Sequence, residues 1–316
     1  MDTKIKIAIS SCLMGHEVRY NGGHKRHNFL MNELSHFVEW RPFCPEVAIG
    51  LGVPRPTLRL VGSAEDPRLV MPKTNEDYTE KMQSYARGVA EQLKQEDIHG
   101  IILKSASPSC GLRRVKVYSE KGFPTKSAVG IFANEIVKSN FLLPVEEDGR
   151  MNDPMYRENF IFRVFAWKEW TEIIDSGISM KKLYHFHAKH KYRLMAHSPK
   201  LQKELGQLLA SKKEQRVKDL ADEYIKNFMT VLTSPVNKKR HANSLFHISG
   251  YFKKFLSSDE KDELGKCIEH YRNGIFPLIL PLSFLNHYAK KYKINYLLDQ
   301  SYLKPHPEQL KLMNNI

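Results

Sequence analysis

Short β-branched runs alternate with amphipathic stretches as far as residue 145, and beyond residue 180 the strand signal is lost. The opening Lys4-Ile5-Lys6-Ile7-Ala8-Ile9-Ser10 reads as a buried first strand. Phe29 to Val38 has helical spacing, and Phe43 before Cys44 marks a strand end. Gly50 to Pro67, rich in Gly and Pro, predicts loop with a short hairpin. Tyr78 to Leu93 places Met82, Tyr85, Ala86, Val89 and Leu93 on one helical face. Gly100 to Lys104 is an apolar strand, Ser127 to Val137 a helix and Phe141 to Val145 a last strand. Such alternation predicts an α/β N-terminal domain, residues 1–150, with a Rossmann-like, mostly parallel sheet and helices on both faces.

Pro154 to Ile173 follows as an aromatic-rich helix carrying Phe160, Phe162, Phe165, Trp167 and Trp170. It is expected to pack against the first domain within a connecting segment, residues 151–180, that closes at Asp175-Ser176-Gly177. Residues 181–316 then read as an all-α basic C-terminal domain, with helices at Leu183–Ala196, Pro199–Leu209, Glu214–Leu232, Ser244–Leu256, Asp259–Arg272 and Leu278–Tyr292.

Charge follows the same division. From Lys181 onward there are 25 Lys and Arg against 12 Asp and Glu, a net of +13, and the first 180 residues hold only +1. A positive excess confined to one half points to a polyanionic partner, nucleic acid before membrane. No apolar run is long enough to span a bilayer: Ile275 to Leu285 is short and contains Pro277 and Pro281. With no signal peptide visible at its start, the protein is expected in the cytoplasm, where four cysteines stay reduced and are buried, metal-bound or catalytic.

Cys12, Cys44 and Cys110 each follow a strand-like segment. In open parallel sheets ligands sit beyond the carboxyl ends of the strands, so the three thiols are expected to converge there. Spacings of 32 and 66 residues match no compact ferredoxin run. Three core cysteines, a zinc site and an iron–sulfur site therefore all stay open at this point. Turn segments rich in Ser, Pro and Gly favour a metal, because they offer backbone N–H groups that core packing does not need. Cys267, in Lys266-Cys267-Ile268, is read as a bystander.

Glu46 lies two residues beyond Cys44, a candidate general acid or base. Ser107 and Ser109 flank Pro108 just before Cys110, and either hydroxyl could orient water or substrate. Arg19, Lys25 and Arg26, around Tyr20 and Asn21-Gly22-Gly23, suit contact with phosphate or base. Arg55 between two prolines and Lys104 before the last cysteine loop suit an anion. In the helical half, His187, His190, Lys191 and Arg193 crowd one helix. With no zincin-type carboxylate between the histidines, they read as a basic nucleic-acid face. Lys238, Lys239 and Arg240, and the pairs Lys212-Lys213 and Lys253-Lys254, add cationic patches.

Ser10-Ser11-Cys12-Leu13-Met14-Gly15, Arg19-Tyr20-Asn21-Gly22, Cys44-Pro45-Glu46, Pro54-Arg55-Pro56 and Ser107-Pro108-Ser109-Cys110-Gly111, in that order, resemble the thiouracil desulfidase family over about the first 150 residues. The remainder, around His187-x-x-His190-Lys191-x-x-Leu194-Met195-Ala196-His197, resembles the helical domain fused to such desulfidases in bacterial tRNA 4-thiouridine desulfidases. The resemblance implies a [4Fe-4S] cluster on Cys12, Cys44 and Cys110 whose open iron takes the substrate sulfur. It also implies assistance from Glu46 and a serine, Ser107 first and Ser109 second. The expected function is hydrolytic conversion of 4-thiouridine in tRNA to uridine with release of hydrosulfide, by a monomer that binds tRNA and no membrane. The rivals are a desulfidase of free thiouracil or thionucleotides, a non-enzymatic cluster-bearing nucleic-acid sensor, and a zinc protein.

Overall fold

Ile5–Ser10 (β1) occupies the centre of a four-stranded sheet in the computed structural model, which describes residues 4–119, 122–211 and 216–316. Ile7, Ala8 and Ile9 have no exposed surface, as expected of a strand covered on both faces. Asn28–Asn32 (α1) and a 3-10 turn at Leu34–His36 lead into Val38–Phe43 (β2). The helix expected through Val38 therefore stops early, because its last residues join the sheet: Ile5 pairs with Val38 and Ser10 with Phe43. Pro42 is tolerated because β2 is an edge strand.

Pro45–Ala48 (α2) follows β2 directly. Arg59–Gly62 (β3) and Pro67–Met71 (β4) form the hairpin expected near Pro67. Glu76–Asp77 (β5) pairs beside β4, and Thr79–Gln95 (α3) buries Met82, Ala86, Val89 and Leu93 as the spacing predicts. Gly100–Leu103 (β6) is wholly buried and pairs parallel with β1. Val115–Tyr118 (β7) and Pro124–Ala128 (β8) form an antiparallel hairpin that takes the start of the helix expected from Ser127; Ile131–Ser139 (α4) is what remains of it. Val145–Glu147 (β9) pairs parallel with β6.

The first sheet runs β2-β1-β6-β9, all parallel. The second, mixed sheet runs β5-β4-β3-β7-β8. Ser10, Phe43, Leu103 and Glu147 end their strands on one edge, and the loops leaving that edge carry Cys12, Cys44, Lys104 to Cys110, and Asp148.

The chain divides into two compact units, Met1–Asp153 and Pro154–Ile316. Pro154–Asp175 (α5) belongs to the second unit. Its aromatic face is used there: Trp170 meets Phe186 at 5.3 Å and Phe162 meets His190 at 5.8 Å between ring centroids. Met180–His197 (α6), Pro199–Ser211 (α7), Val217–Val231 (α8), Lys238–Ser249 (α9), Ser258–Arg272 (α10), Ile279–Lys291 (α11) and Asn295–Leu298 (α12) complete it. No strand occurs among its described residues. Lys212 and Lys213 lie outside the described residues. No described helix is long and apolar enough to cross a membrane.

Candidate active site

Cys12, Cys44 and Cys110 line one cavity of about 180 Å³ at the carboxyl edge of the parallel sheet. Cys12 sits in a 3-10 turn, Ser11–Leu13, whose carbonyls accept the Lys25 N–H at 2.8 Å and the His27 N–H at 2.9 Å. Cys44 is the N-cap of α2, and its Sγ lies 3.9 Å from the Val18 carbonyl.

The Cys110 loop is held from three sides. Ser107 Oγ accepts the N–H groups of Ser109 and Cys110 at 3.2 and 3.0 Å. Glu147 Oε1 accepts the Leu112 N–H at 2.7 Å and the Arg113 N–H at 3.3 Å. Gly130 backs the loop so closely that a Cβ there would stand 2.5 Å from the Ser109 carbonyl oxygen and 2.6 Å from its carbon. Gly130→Ala should therefore destabilise the protein by about 1–3 kcal/mol through overpacking. A thermal melt together with iron content after anaerobic reconstitution checks this; an unchanged value for both would show that the loop has slack.

Burial pushes the Cys12 thiol up to about 11, with Cys44 adding to the rise. Burial raises Cys44 too. Cys110 is raised furthest, by burial first and then by Glu46 and the other two cysteines. Three thiols that oppose one another's ionisation need a cationic soft centre to become thiolate ligands. Among the described residues no three His, Cys, Asp or Glu side chains come close enough to hold one metal ion.

Glu46 reaches the cavity from the first turn of α2. Its Oε2 takes Arg55 Nε and Nη2 at 2.9 and 2.7 Å, and its Oε1 accepts the Ser109 hydroxyl at 3.0 Å. Arg55 is nearly buried and also donates to the Gly52 and Val18 carbonyls at 3.0 Å each. Ser109 is fully buried, and Ser107 lines the cavity. The two serines therefore differ in place: one holds the carboxylate, the other holds the loop and faces the cavity.

Lys104 also lines the cavity, with Nζ 2.7 Å from Asp148 Oδ2 and 2.9 Å from Ser105 Oγ. Burial acts against the Asp148 carboxylate, but Lys104 and Ser105 outweigh it and hold its pKa below the usual range. Sequence reasoning missed Asp148 and Glu147. The signal for them was the acidic run Glu146-Glu147-Asp148 directly after a strand. Arg19 lines the cavity as well, whereas Lys25 and Arg26 are exposed and absent from its described wall, with Arg26 bonded to Asn28 and Asn32.

The basic face expected on α6 is corrected in its central residues. Arg193 is 1% exposed, with Nη2 2.7 Å from Glu158 Oε1 and its guanidinium 4.1 Å from the Phe162 ring centroid. His190 is buried between Glu169 Oε2 at 3.2 Å and Ser301 Oγ at 2.8 Å. Burial lowers the His187 pKa to about 4, helped by Lys191, and His187 lies 3.1 Å from the Tyr224 hydroxyl. The interior spacing that let them share a helix face also turns that face inward, so these residues form core and present no cationic surface. Lys191 is half-buried over the Tyr192 ring, and Lys238, Lys239 and Arg240 are exposed, Arg240 donating to the His197 carbonyl at 2.7 Å.

Comparison with known proteins gives two separate family matches. Residues 7–148 match the family model of 2-thiouracil desulfurase, and residues 191–307 match that of a protein family of unknown function, DUF1722. The uncharacterized protein YbgA of Escherichia coli (strain K12) is 29% identical over 166 residues, 52% of this chain and 98% of that protein. The uncharacterized protein YbbK of Bacillus subtilis (strain 168) is 34% identical over 116 residues, 33% of this chain and 72% of that protein. A solved structure, the [4Fe-4S]-dependent thiouracil desulfidase TudS, is 28% identical with a TM-score of 0.39, covering 48% of this chain and 95% of that one. Through its first unit the chain belongs to the 2-thiouracil desulfurase family, here joined to a DUF1722 region.

Proposed function

We propose that the chain hydrolyses 4-thiouridine in tRNA to uridine and hydrosulfide, with a [4Fe-4S] cluster on Cys12, Cys44 and Cys110. The observation that carries this is the opening of three thiols and of Glu46, held from behind by Ser109, onto one cavity. The chemistry of the donor set suits the cluster: three soft sulfur side chains line one cavity. When bound, the cluster supplies a soft Lewis acid for the thiocarbonyl sulfur.

The protein's own groups do the proton work. Glu46 takes a proton from the water that adds at C4 and returns it to the departing sulfur. Arg55 and Ser109 hold that carboxylate in place. Ser107, whose oxygen already accepts two N–H groups, has its O–H left to donate toward the base. Water is added and hydrosulfide leaves, so no electron donor is consumed.

The net +13 beyond residue 180 supports RNA as the carrier of the base. The test is anaerobic reconstitution followed by incubation with bulk tRNA, reading the loss of the near-UV absorbance of 4-thiouridine, with Cys110→Ala as control. Loss in the parent and none in the control is expected. Turnover of free thiouracil with none of tRNA would overturn the tRNA reading and favour the free base, the substrate that the family description names. No release of hydrosulfide from any thiolated base would overturn the enzyme reading. Binding of tRNA should also weaken steeply with salt, by about 10³–10⁵ between 50 and 200 mM if 6–10 phosphates are contacted.

A further inference from the structure

A cavity of about 340 Å³ in the second unit is lined by a serine, a histidine and a carboxylate that desulfidation does not use. Ser301 Oγ lies 2.8 Å from His190 Nδ1, and His190 Nε2 lies 3.2 Å from Glu169 Oε2. Glu169 belongs to α5 and His190 to α6, and Ser301 follows α12. The three stand far apart in sequence, so only the fold joins them.

The direction of each bond follows from the chemistry of its partners. Burial works against the Glu169 carboxylate, but the bond to His190 and the Lys189 ammonium, 2.9 Å from Oε1, outweigh it and bring its pKa down to about 2. An ionised carboxylate only accepts, so Nε2 carries the ring proton. Burial lowers the His190 pKa, so the ring is neutral near pH 7 and Nδ1 keeps its lone pair. The Ser301 hydroxyl then donates to Nδ1. Hydroxyl, base and orienting carboxylate stand in the order that activates a nucleophile, with the two ring nitrogens used in the reverse of the chymotrypsin arrangement. The group is held rigidly. Ser301 N–H donates to the Lys189 carbonyl at 3.0 Å, and Gln300 Nε2 to the Ala188 carbonyl at 2.8 Å, which docks the serine on α6. Phe186 and Phe228 pack on the imidazole with ring centroids 4.4 and 5.3 Å away. A core histidine needs only its two partners, whereas here a cavity of ligand size opens on all three groups. Its wall adds Phe162, Phe165 and Ala166, and Lys304, which has no carboxylate within ion-pair distance among the described residues.

We infer that the second unit hydrolyses esters of small apolar carboxylic acids, with Ser301 as nucleophile, His190 as its base and Glu169 as the positioning residue. Ser301 Oγ adds to the ester carbonyl carbon while its proton passes to His190 Nδ1. The bond from that carbon to the alcohol oxygen breaks, and the alcohol leaves with the proton. Water adds to the acyl-serine by the same route, the acid departs and the hydroxyl is restored. Glu169 stays ionised throughout and steadies the imidazolium. The phenyl rings suit the acyl group, and the Lys304 ammonium suits the carbonyl oxygen as it turns negative. Water is the only co-reactant. The activity needs no cluster and stands independently of the desulfidase reading.

The test treats the folded full-length chain with diisopropyl fluorophosphate and maps the adduct by peptide mass spectrometry. One diisopropylphosphoryl group on Ser301 is expected, with fluoride released. No adduct, or an adduct only at another residue, would overturn the inference, and this arm depends on no variant's folding. Glu169→Gln should slow the labelling of Ser301 by about 10²- to 10⁴-fold. Hydrolysis of p-nitrophenyl butyrate, measured after accessible thiols are blocked with iodoacetamide, is the second arm. The rate should fall in step with labelling, and Ser301→Ala should lower kcat/KM by about 10²- to 10⁴-fold. Equal rates in the parent and Ser301→Ala, both folded by circular dichroism, would overturn the inference. A network that only holds the core together predicts a lower melting temperature in Ser301→Ala and Glu169→Gln with no phosphoryl group taken up by the parent, and that result too would overturn it.

Discussion

Glu46→Gln should lower kcat for desulfidation by about 10²- to 10⁴-fold while iron content after reconstitution stays at the parent level. Glutamine keeps the size of the side chain and an oxygen for the Ser109 hydroxyl. It cannot accept a proton from water, and its amide hydrogens would face the Arg55 guanidinium, now 2.7 Å from the carboxylate. Ser109→Ala separates proton transfer from positioning. It removes one of the bonds that fix Glu46 but leaves the carboxylate, so a loss of only about tenfold is expected. Because Arg55 is only 5% exposed along its side chain, Glu46→Gln also strips a buried cation of its partner. A melting curve therefore has to accompany the kinetics. A kcat within threefold of the parent in a folded, iron-loaded Glu46→Gln protein would remove Glu46 from the chemistry.

What could be read from sequence, and what could not, follows from how far apart the determining groups lie. β1, β6 and α3 were legible because each carries its own periodicity: Ile7 and Ile9 within a buried run, and Met82, Ala86, Val89 and Leu93 at helical spacing. The convergence of Cys12, Cys44 and Cys110 was legible for a topological reason, since each follows a strand of one parallel sheet. The second sheet was mostly hidden. Its β7 and β8 are short, and Pro124 to Ser127 is exposed and polar, so pairing with a neighbour and not composition makes the strand. The end of the expected Phe29–Val38 helix was lost to the same cause, pairing of Val38 with Ile5.

Among the site residues, Cys44 and Glu46 came with a local signal. The Lys104–Asp148 pair, 44 residues apart, did not. Ser107 and Ser109 flank the same proline, and only the direction of each side chain separates the loop holder from the holder of Glu46. The cationic reading of α6 failed because helical spacing reports a shared face without its direction. Phe186 and His190 lie one turn apart with ring centroids 4.4 Å from each other, inside an aromatic cluster with Phe228 and Trp170.

Arg193 gives that correction a measurable form. Replacing Glu158 by Gln should destabilise the protein by about 3–5 kcal/mol, because it leaves a guanidinium 1% exposed without its counter-ion. Arg193→Met should cost less than Glu158→Gln, since methionine fills similar space against Phe162 and brings no charge of its own. The double variant Glu158→Leu with Arg193→Met should recover most of the loss, since a buried ion pair exchanged for apolar side chains of similar volume is often neutral. Urea unfolding followed by circular dichroism measures all three. A surface role predicts the opposite pattern: Arg193→Met would leave the midpoint unchanged and weaken tRNA binding with a smaller salt slope. That result would return Arg193 to the RNA face and require α6 to sit differently in the second unit. Loss of stability with tRNA affinity unchanged at a temperature where the variant is folded would place the phosphate contacts elsewhere, with the exposed Lys238, Lys239 and Arg240 the next positions to replace.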